Sequence, residues 1–236
     1  MKTKRTTSSN TATEISHQTT TPGDIFRIGK RVIDLVSVCI LTILFSPILI
    51  LLPILIKIQS PGPILFRHKR VGKFGKEFYL YKFRSMYEDA DRILLQDKAL
   101  REKFKNQRGG WKIPVNEDPR ITPVGKIARH FTLDEFPQLV NILKGEMSLV
   151  GPRPYRKDEV GNEIEEQLKK FPHLRKEIKV MLSVRPGITG PWQTSGRNDI
   201  PWDQQIILGA DYARRKSLFY DLWIILKTPF AMISKW

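Results

Sequence analysis

Two adjacent carboxylates, Asp134 and Glu135, stand in the stretch Thr132-Leu133-Asp134-Glu135-Phe136-Pro137-Gln138. Phe136, Leu139, Val140 and Leu143 follow at helical spacing and Gly145 ends the run, so the pattern predicts both acids at a helix start. Unpaired N–H groups and the positive dipole end at such a start suit a phosphate. A carboxylate pair there can divide labour between a nucleophile and a ligand for a hard cation such as Mg²⁺. A purely structural role competes: Thr132-x-x-Glu135 matches a capping box, and acids near helix N-termini are stabilising without any chemistry. Pro137 argues against Thr132 as the cap, because the proline would then fall at the fifth helical position, where its missing N–H and its ring both disrupt. With Asp134 as the cap it falls at the third, where no intrahelical donor is needed. Local sequence leaves catalysis and capping by Asp134 both open. Arg120, Lys126 and Arg129 precede the pair. Arg153 follows in Gly151-Pro152-Arg153-Pro154, where Pro152 and Pro154 pre-organise the guanidinium for bidentate contact with a phosphate or carboxylate.

Other chemistries lack their residues. No Walker-type loop, no Gly-x-Gly-x-x-Gly after a strand and no zinc-like spacing occurs. The histidines His17, His68, His130 and His173 are scattered, and His130 is expected at the surface. A lone cysteine, Cys39, excludes an intramolecular disulfide framework and a Cys-based zinc site.

The elements around the pair point to a membrane. Of the 236 residues, 41% are hydrophobic, enough for a folded core, and the net charge of +16 calls for an anionic partner: nucleic acid, acidic lipid or a phosphorylated substrate. Residues 1–24 form a polar tail in which 11 of the first 21 positions are Ser or Thr, so disorder is expected there. The apolar run begins too late for a secretory signal, and export is not expected. Residues 35–56 then run 22 positions without a charge. As one straight helix they would reach about 33 Å, close to the hydrocarbon thickness of a bilayer. Basic residues flank both ends: Arg27, Lys30 and Arg31 before, and Lys57, Arg67, Lys69, Arg70 and Lys73 after. A single crossing would put one cluster on the wrong side. Pro47 cannot donate to the carbonyl of Ile43, and the Ser46 hydroxyl is placed to satisfy it, so a bend is predicted at Ser46-Pro47. Arms of roughly 10 to 12 residues would each reach about half the bilayer and return. Asp34 at the mouth has Lys30 or Arg31 one helical turn away as its expected partner.

After the turn Gln59-Ser60-Pro61-Gly62-Pro63, residues 64–84 interleave seven basic residues, among them Lys82 and Arg84, with six Phe or Tyr and only Glu77 as an acid. A period near two predicts a strand over 78–84, forming either a face on anionic lipid or a phosphate-binding wall. Residues 87–108 are predicted helical, closed by Gly109-Gly110. The stretch 218–236 is too interrupted, by Asp221, Lys227 and Pro229, to span a membrane. It reads as an interfacial amphipathic helix with Trp223 and Trp236 at headgroup level, or as a core-packing terminal helix.

Seven motifs in order resemble the monotopic phosphoglycosyl transferases, the bacterial sugar transferases that begin glycoconjugate assembly. They are Lys30-Arg31-x-x-Asp34, the Ser46-Pro47 break, Ser60-x-Gly62-Pro63, Arg70-x-Gly72, Lys82-Phe83-Arg84-Ser85-Met86, Leu133-Asp134-Glu135-x-Pro137-Gln138 and Leu149-Val150-Gly151-Pro152-Arg153-Pro154. The likeness implies transfer of a sugar-1-phosphate from a UDP-sugar to undecaprenyl phosphate, with UMP released. It assigns the nucleophile, and a covalent phospho-sugar intermediate, to Asp134; an Mg²⁺ ligand to Glu135, with Mg²⁺ expected over Mn²⁺; a nucleotide contact to Arg153; and the anchoring of a re-entrant helix to Lys30, Arg31 and Asp34. Larger members carry four additional transmembrane helices, so a compact member is implied. The segment Arg185-Pro186-Gly187-Ile188-Thr189-Gly190-Pro191-Trp192-Gln193 is similar to that of the hexose-1-phosphate transferases and leans towards galactose or glucose.

The reading is therefore an α+β, mostly helical monotopic membrane protein with one re-entrant helix hairpin and interfacial amphipathic helices. Residues 25–58 form the hairpin, and residues 59–236 a catalytic portion on the cytoplasmic face of the bacterial inner membrane. Its site draws on Asp134, Glu135, Arg153, Pro152, Pro154, Arg129, Lys82 and Arg84. Its partners are a UDP-sugar, a polyprenol phosphate, the membrane and a second copy in a homodimer, with no nucleic acid. The rivals are a basic membrane-anchored binding module for acidic lipid or nucleic acid, with Asp134 and Glu135 as caps, and a single-span scaffold.

Overall fold

Pro47 breaks the apolar run where the sequence places the break. In the computed structural model, which describes residues 22–106, 114–160, 165–196 and 200–233, helix α1 (Pro22–Leu44) and helix α2 (Ser46–Gln59) meet at Phe45 with a bend of 65°. The Ser46 hydroxyl donates to the Ile43 carbonyl at 2.8 Å, the acceptor that Pro47 leaves unserved. The arms are unequal, at 23 and 14 residues, and they open into a wide V rather than a tight hairpin with equal arms. Among the described residues no single helix is long and apolar enough to cross a membrane, whereas the bent pair together is.

Strands β1 (Leu65–Val71) and β2 (Glu77–Phe83) form an antiparallel ribbon that pairs Phe66 with Lys82 and His68 with Leu80. The helix expected over 87–108 is two helices, α3 (Ala90–Gln96) and α4 (Lys98–Asn106), interrupted at Asp97. Its predicted stop, Gly109-Gly110, lies outside the described residues, as do residues 1–21 of the polar tail and Trp236. Helix α5 (Pro123–His130) is followed by a short 3-10 turn, Leu133–Glu135, and by α6 (Gln138–Leu143). Strand β3 (Ser148–Val150) precedes α7 (Lys157–Val160), α8 (Glu165–Lys170) and α9 (Leu174–Met181). Strand β4 (Gly187–Thr189) lies parallel to β3 and leads to α10 (Pro191–Ser195), α11 (Trp202–Arg215) and α12 (Leu218–Ile233).

Three apolar clusters hold these elements. The central one joins Val38 of α1, Leu80 of β2, Leu139 and Ile142 of α6, Val150 of β3, Tyr212 of α11 and Ile224 of α12. A second packs α9 and α11 against Val71 at the end of β1, Val160 of α7 and Tyr155. A third, with Leu52 and Ile56 of α2, Phe83 and Ala128, takes Leu133 and Phe136 against it and so supports the 3-10 turn. At the bend the Phe45 ring lies 4.6 Å from that of Phe136, tying the break in the apolar pair to the residues just after Asp134.

The motif Lys30-Arg31-x-x-Asp34 turns inward and keys α1 to the rest. Lys30 donates to Asp221 at 2.6 Å, to the Val150 carbonyl at 2.9 Å and to the Tyr212 hydroxyl at 3.1 Å, using all three ammonium hydrogens. Arg31 caps the end of α6 through the carbonyls of Ile142 and Leu143, at 2.6 and 2.9 Å. Asp34 accepts from the Ser148 hydroxyl and the Leu149 N–H, both at 2.8 Å. The expected pairing of Asp34 with Lys30 or Arg31 is thus corrected: tertiary partners on β3 and α12 outcompete neighbours on the same helix, because they also desolvate the charges they satisfy.

Candidate active site

Local chain geometry aims the carboxylates. Thr122 caps α5, accepting from the Gly125 N–H at 2.9 Å, and Pro123 takes the first turn. A Cβ on Gly125 would stand 2.0 Å from the Ser85 carbonyl, so only glycine lets α5 press this closely on the chain after β2. That approach brings Arg129 to the Ser85 hydroxyl, to which its Nε donates at 2.8 Å. Beyond α5, Thr132 is left-handed at φ +59°, a conformation costly for a β-branched residue, and the chain reverses into the 3-10 turn.

The capping reading of the pair is not what forms. Thr132 makes no side-chain cap bond, and α6 begins after Pro137, also without one. Asp134 is instead buried, 7% exposed, with Lys82 Nζ 3.7 Å from its Oδ2. The same ammonium is hydrogen-bonded to Glu135. Burial pushes the Asp134 carboxyl up to about 6; Lys82 opposes this, Glu135 adds to it, and Arg129 opposes it again. Helix α6 is fixed to β2 by the fully buried Asn141, whose Oδ1 accepts from the Tyr81 N–H at 3.2 Å and whose Nδ2 donates to the Tyr79 carbonyl at 2.7 Å. This side chain holds Lys82 opposite the two acids.

Basic and polar groups extend the site along β1. Arg70 Nε donates to His68 Nε2 at 3.1 Å, and Arg70 also pairs with Glu159 at 3.1 Å. Burial, then Arg70, Lys82 and Arg156, hold the His68 imidazole down to about 3, so it is neutral near pH 7. Mg²⁺ takes one or two protein carboxylates and completes its shell with waters and phosphate oxygens, and Glu135, its side chain 29% exposed, is the carboxylate that could hold it in exchange for its contact with Lys82. Among the described residues no group of three or more His, Cys, Asp or Glu comes together as a metal cage.

The remaining expected residues are dispersed. Arg153 lies over the Trp192 ring at 4.5 Å and 6.0 Å from the Tyr155 ring centre, so it belongs to an aromatic platform by α10. Pro152 accepts from the Gly187 N–H at 2.8 Å, holding the Pro152–Pro154 loop on β4. Arg84 does not join the carboxylates: its guanidinium donates to the carbonyls of Ser60 and Pro61 at 2.6 and 2.5 Å and clamps the turn after α2. Arg120 is paired with Asp118 at 2.8 Å.

With this geometry in place, the sequence comparisons decide the family. The family model described as bacterial sugar transferase matches residues 25–235. This chain is a bacterial sugar transferase. An exopolysaccharide production protein ExoY of Sinorhizobium fredii is 37% identical over 98% of this chain and 97% of its own length. The undecaprenyl-phosphate galactose phosphotransferase of Salmonella typhimurium is 38% identical over 89% of this chain but 41% of its own. The UDP-glucose:undecaprenyl-phosphate glucose-1-phosphate transferase of Escherichia coli is 34% identical over 86% of this chain and 40% of its own. Residues of this sugar transferase that the sequence reading passed over are Asn141, Tyr212, Asp221 and His68. Asp221 carried a signal, as an acid inside an apolar terminal helix; the others carried none, because only tertiary contact gives them partners.

Proposed function

We propose that this bacterial sugar transferase moves a sugar-1-phosphate, of galactose or glucose type, from a UDP-sugar to undecaprenyl phosphate and releases UMP. The observation that carries the reading is Asp134: a buried, uncapped carboxylate facing Lys82, with Arg129 on the preceding helix. In the first step an Asp134 oxygen attacks the sugar-bearing phosphorus and the bond to the UMP oxygen breaks, its electron pair leaving with UMP. In the second, an oxygen of the lipid phosphate attacks the same phosphorus and the aspartyl bond breaks, restoring Asp134. Lys82 and Arg129 supply fixed positive charge where the transferred phosphoryl group carries its negative charge. Arg153, stacked on Trp192, serves the nucleotide. Glu135 would hold Mg²⁺, which when bound would neutralise charge on the diphosphate.

The bent pair α1–α2 enters the membrane from the cytoplasmic face and returns, without crossing. Exposed Ile28, Val32, Val36 and Ile40 on α1, and exposed Phe219, Trp223, Leu226 and Phe230 on α12, support this seating, because a soluble surface rarely leaves so much apolar area uncovered. Such an exposed apolar helix also makes a homodimer a natural arrangement. The test is UMP release by the purified chain with Mg²⁺, undecaprenyl phosphate and a panel of UDP-sugars. Release that requires the lipid and falls at least about a thousandfold in Asp134→Asn, with folding intact, supports the reading. Silence of the folded wild type across the panel sinks it and restores the binding-module rival.

A further inference from the structure

The face of the β1–β2 ribbon next to Lys82 carries two groups that the reaction above does not use, Phe66 and His68. Cross-strand pairing puts Phe66 directly opposite Lys82, and His68, opposite Leu80, is the diagonal neighbour of Lys82 on the same face. Phe66 is 51% exposed beside the ion-paired cluster, and its ring meets His68 edge to face with centres 5.3 Å apart. The His68 ring is fixed from behind: Arg70 Nε–H can only donate, so Nε2 accepts and the proton of the neutral ring sits on Nδ1. Arg70 is in turn held by Glu159. Nδ1 has no hydrogen-bond partner in the described protein, and it is not sealed from solvent.

An oriented neutral donor beside an exposed aromatic ring is poorly matched to a phosphate, which Lys82 and Arg129 already serve. It is well matched to a sugar, which offers a hydroxyl to the donor and a C–H face to the ring. We infer that His68 Nδ1–H donates to a hydroxyl of the transferred hexose, and that Phe66 packs against its ring, so the two set sugar specificity. This assignment rests on the UDP-sugar reading above.

The test measures kcat/KM of the full chain with UDP-galactose and UDP-glucose, together with inhibition by UMP, for wild type, His68→Phe, His68→Gln and Phe66→Ala. In His68→Phe, kcat/KM for the preferred sugar should fall about 10-fold or more and the preference between the two epimers should shrink, because a site built to bond a hydroxyl discriminates strongly. UMP inhibition should stay unchanged, and His68→Gln, which keeps an N–H donor, should restore much of the preference. Phe66→Ala should raise KM for both sugars without altering KM for the lipid. Equal loss for both sugars with weaker UMP inhibition would make His68 a mere support for Arg70 and overturn the proposal. Phe66→Ala acting only on the lipid KM would show Phe66 facing acyl chains and likewise overturn the sugar platform. Unchanged kinetics in an active enzyme would sink this inference alone, whereas an inactive wild type would sink the transferase reading with it.

Discussion

At the residue scale, Asp134, the proposed nucleophile, leaves a pH signature. Its folded carboxyl titrates near 6, against 3.8 as the ordinary value, so the folded state binds more protons than the unfolded state between those limits. Folding stability contributed by this group is therefore present below the ordinary value and is lost as pH rises through the folded one. Asp134→Asn should flatten the stability profile across pH 4 to 6, which melting temperatures at several pH values would show. Activity runs the other way, because the nucleophile must be ionised: kcat/KM should rise with pH through about 6 and level above it. Asn141 acts without touching substrate. Asn141→Leu orphans the Tyr81 N–H and the Tyr79 carbonyl, and a loss of about 2 to 4 kcal/mol is expected in denaturant unfolding, with UMP release falling as Lys82 loses its placement.

At the element scale, a proline and a glycine determine how helices meet. Pro47→Ala restores the N–H that the Ile43 carbonyl lacks, so the 65° bend should open towards a continuous helix long enough to span. A cysteine placed in the N-terminal tail should then become reactive to impermeant label from the periplasmic side, while the same cysteine in the Pro47 protein should not. Gly125→Ala has the opposite character, a clash without a change of topology. Its Cβ meets backbone at Ser85, which cannot swing away, so α5 must shift and carry Arg129 with it. The expected cost is about 1 to 3 kcal/mol in unfolding free energy, together with reduced UMP release.

At the scale of the whole molecule, Lys30 is where the parts are locked. One ammonium joins α1 to β3, α11 and α12, and Asp221 also accepts from the Tyr212 hydroxyl at 2.6 Å. Asp221 is buried and Lys30 largely so, and removing one leaves the other's charge uncompensated. Asp221→Leu alone should destabilise by about 3 to 5 kcal/mol. The double change Lys30→Met with Asp221→Leu should recover much of that in thermal melts, because no buried charge is left without a partner. The C-terminal helix is two-faced: Asp221 and Ile224 face the core while Phe219, Leu226 and Phe230 remain exposed.

The sequence by itself determined the elements whose cause is local. The Ser46-Pro47 bend, the strand over Glu77–Phe83, the uncharged run and the acid pair before Pro137 all follow from dihedral limits, period and charge, which neighbouring residues settle among themselves. Order and spacing of its motifs likewise sufficed for the family. Tertiary structure decided which of several equivalent basic residues serve the site, because Lys82 and Arg84 lie two positions apart in sequence and only packing sends one to Asp134 and the other to the Ser60-Pro61 turn. It decided that Asp34 bonds β3 rather than its own helix, that Thr132 turns left-handed instead of capping, and that His68 faces the carboxylates' side of the ribbon. Each of these is a competition between a near partner and a distant one, and desolvation in the folded core favours the distant partner.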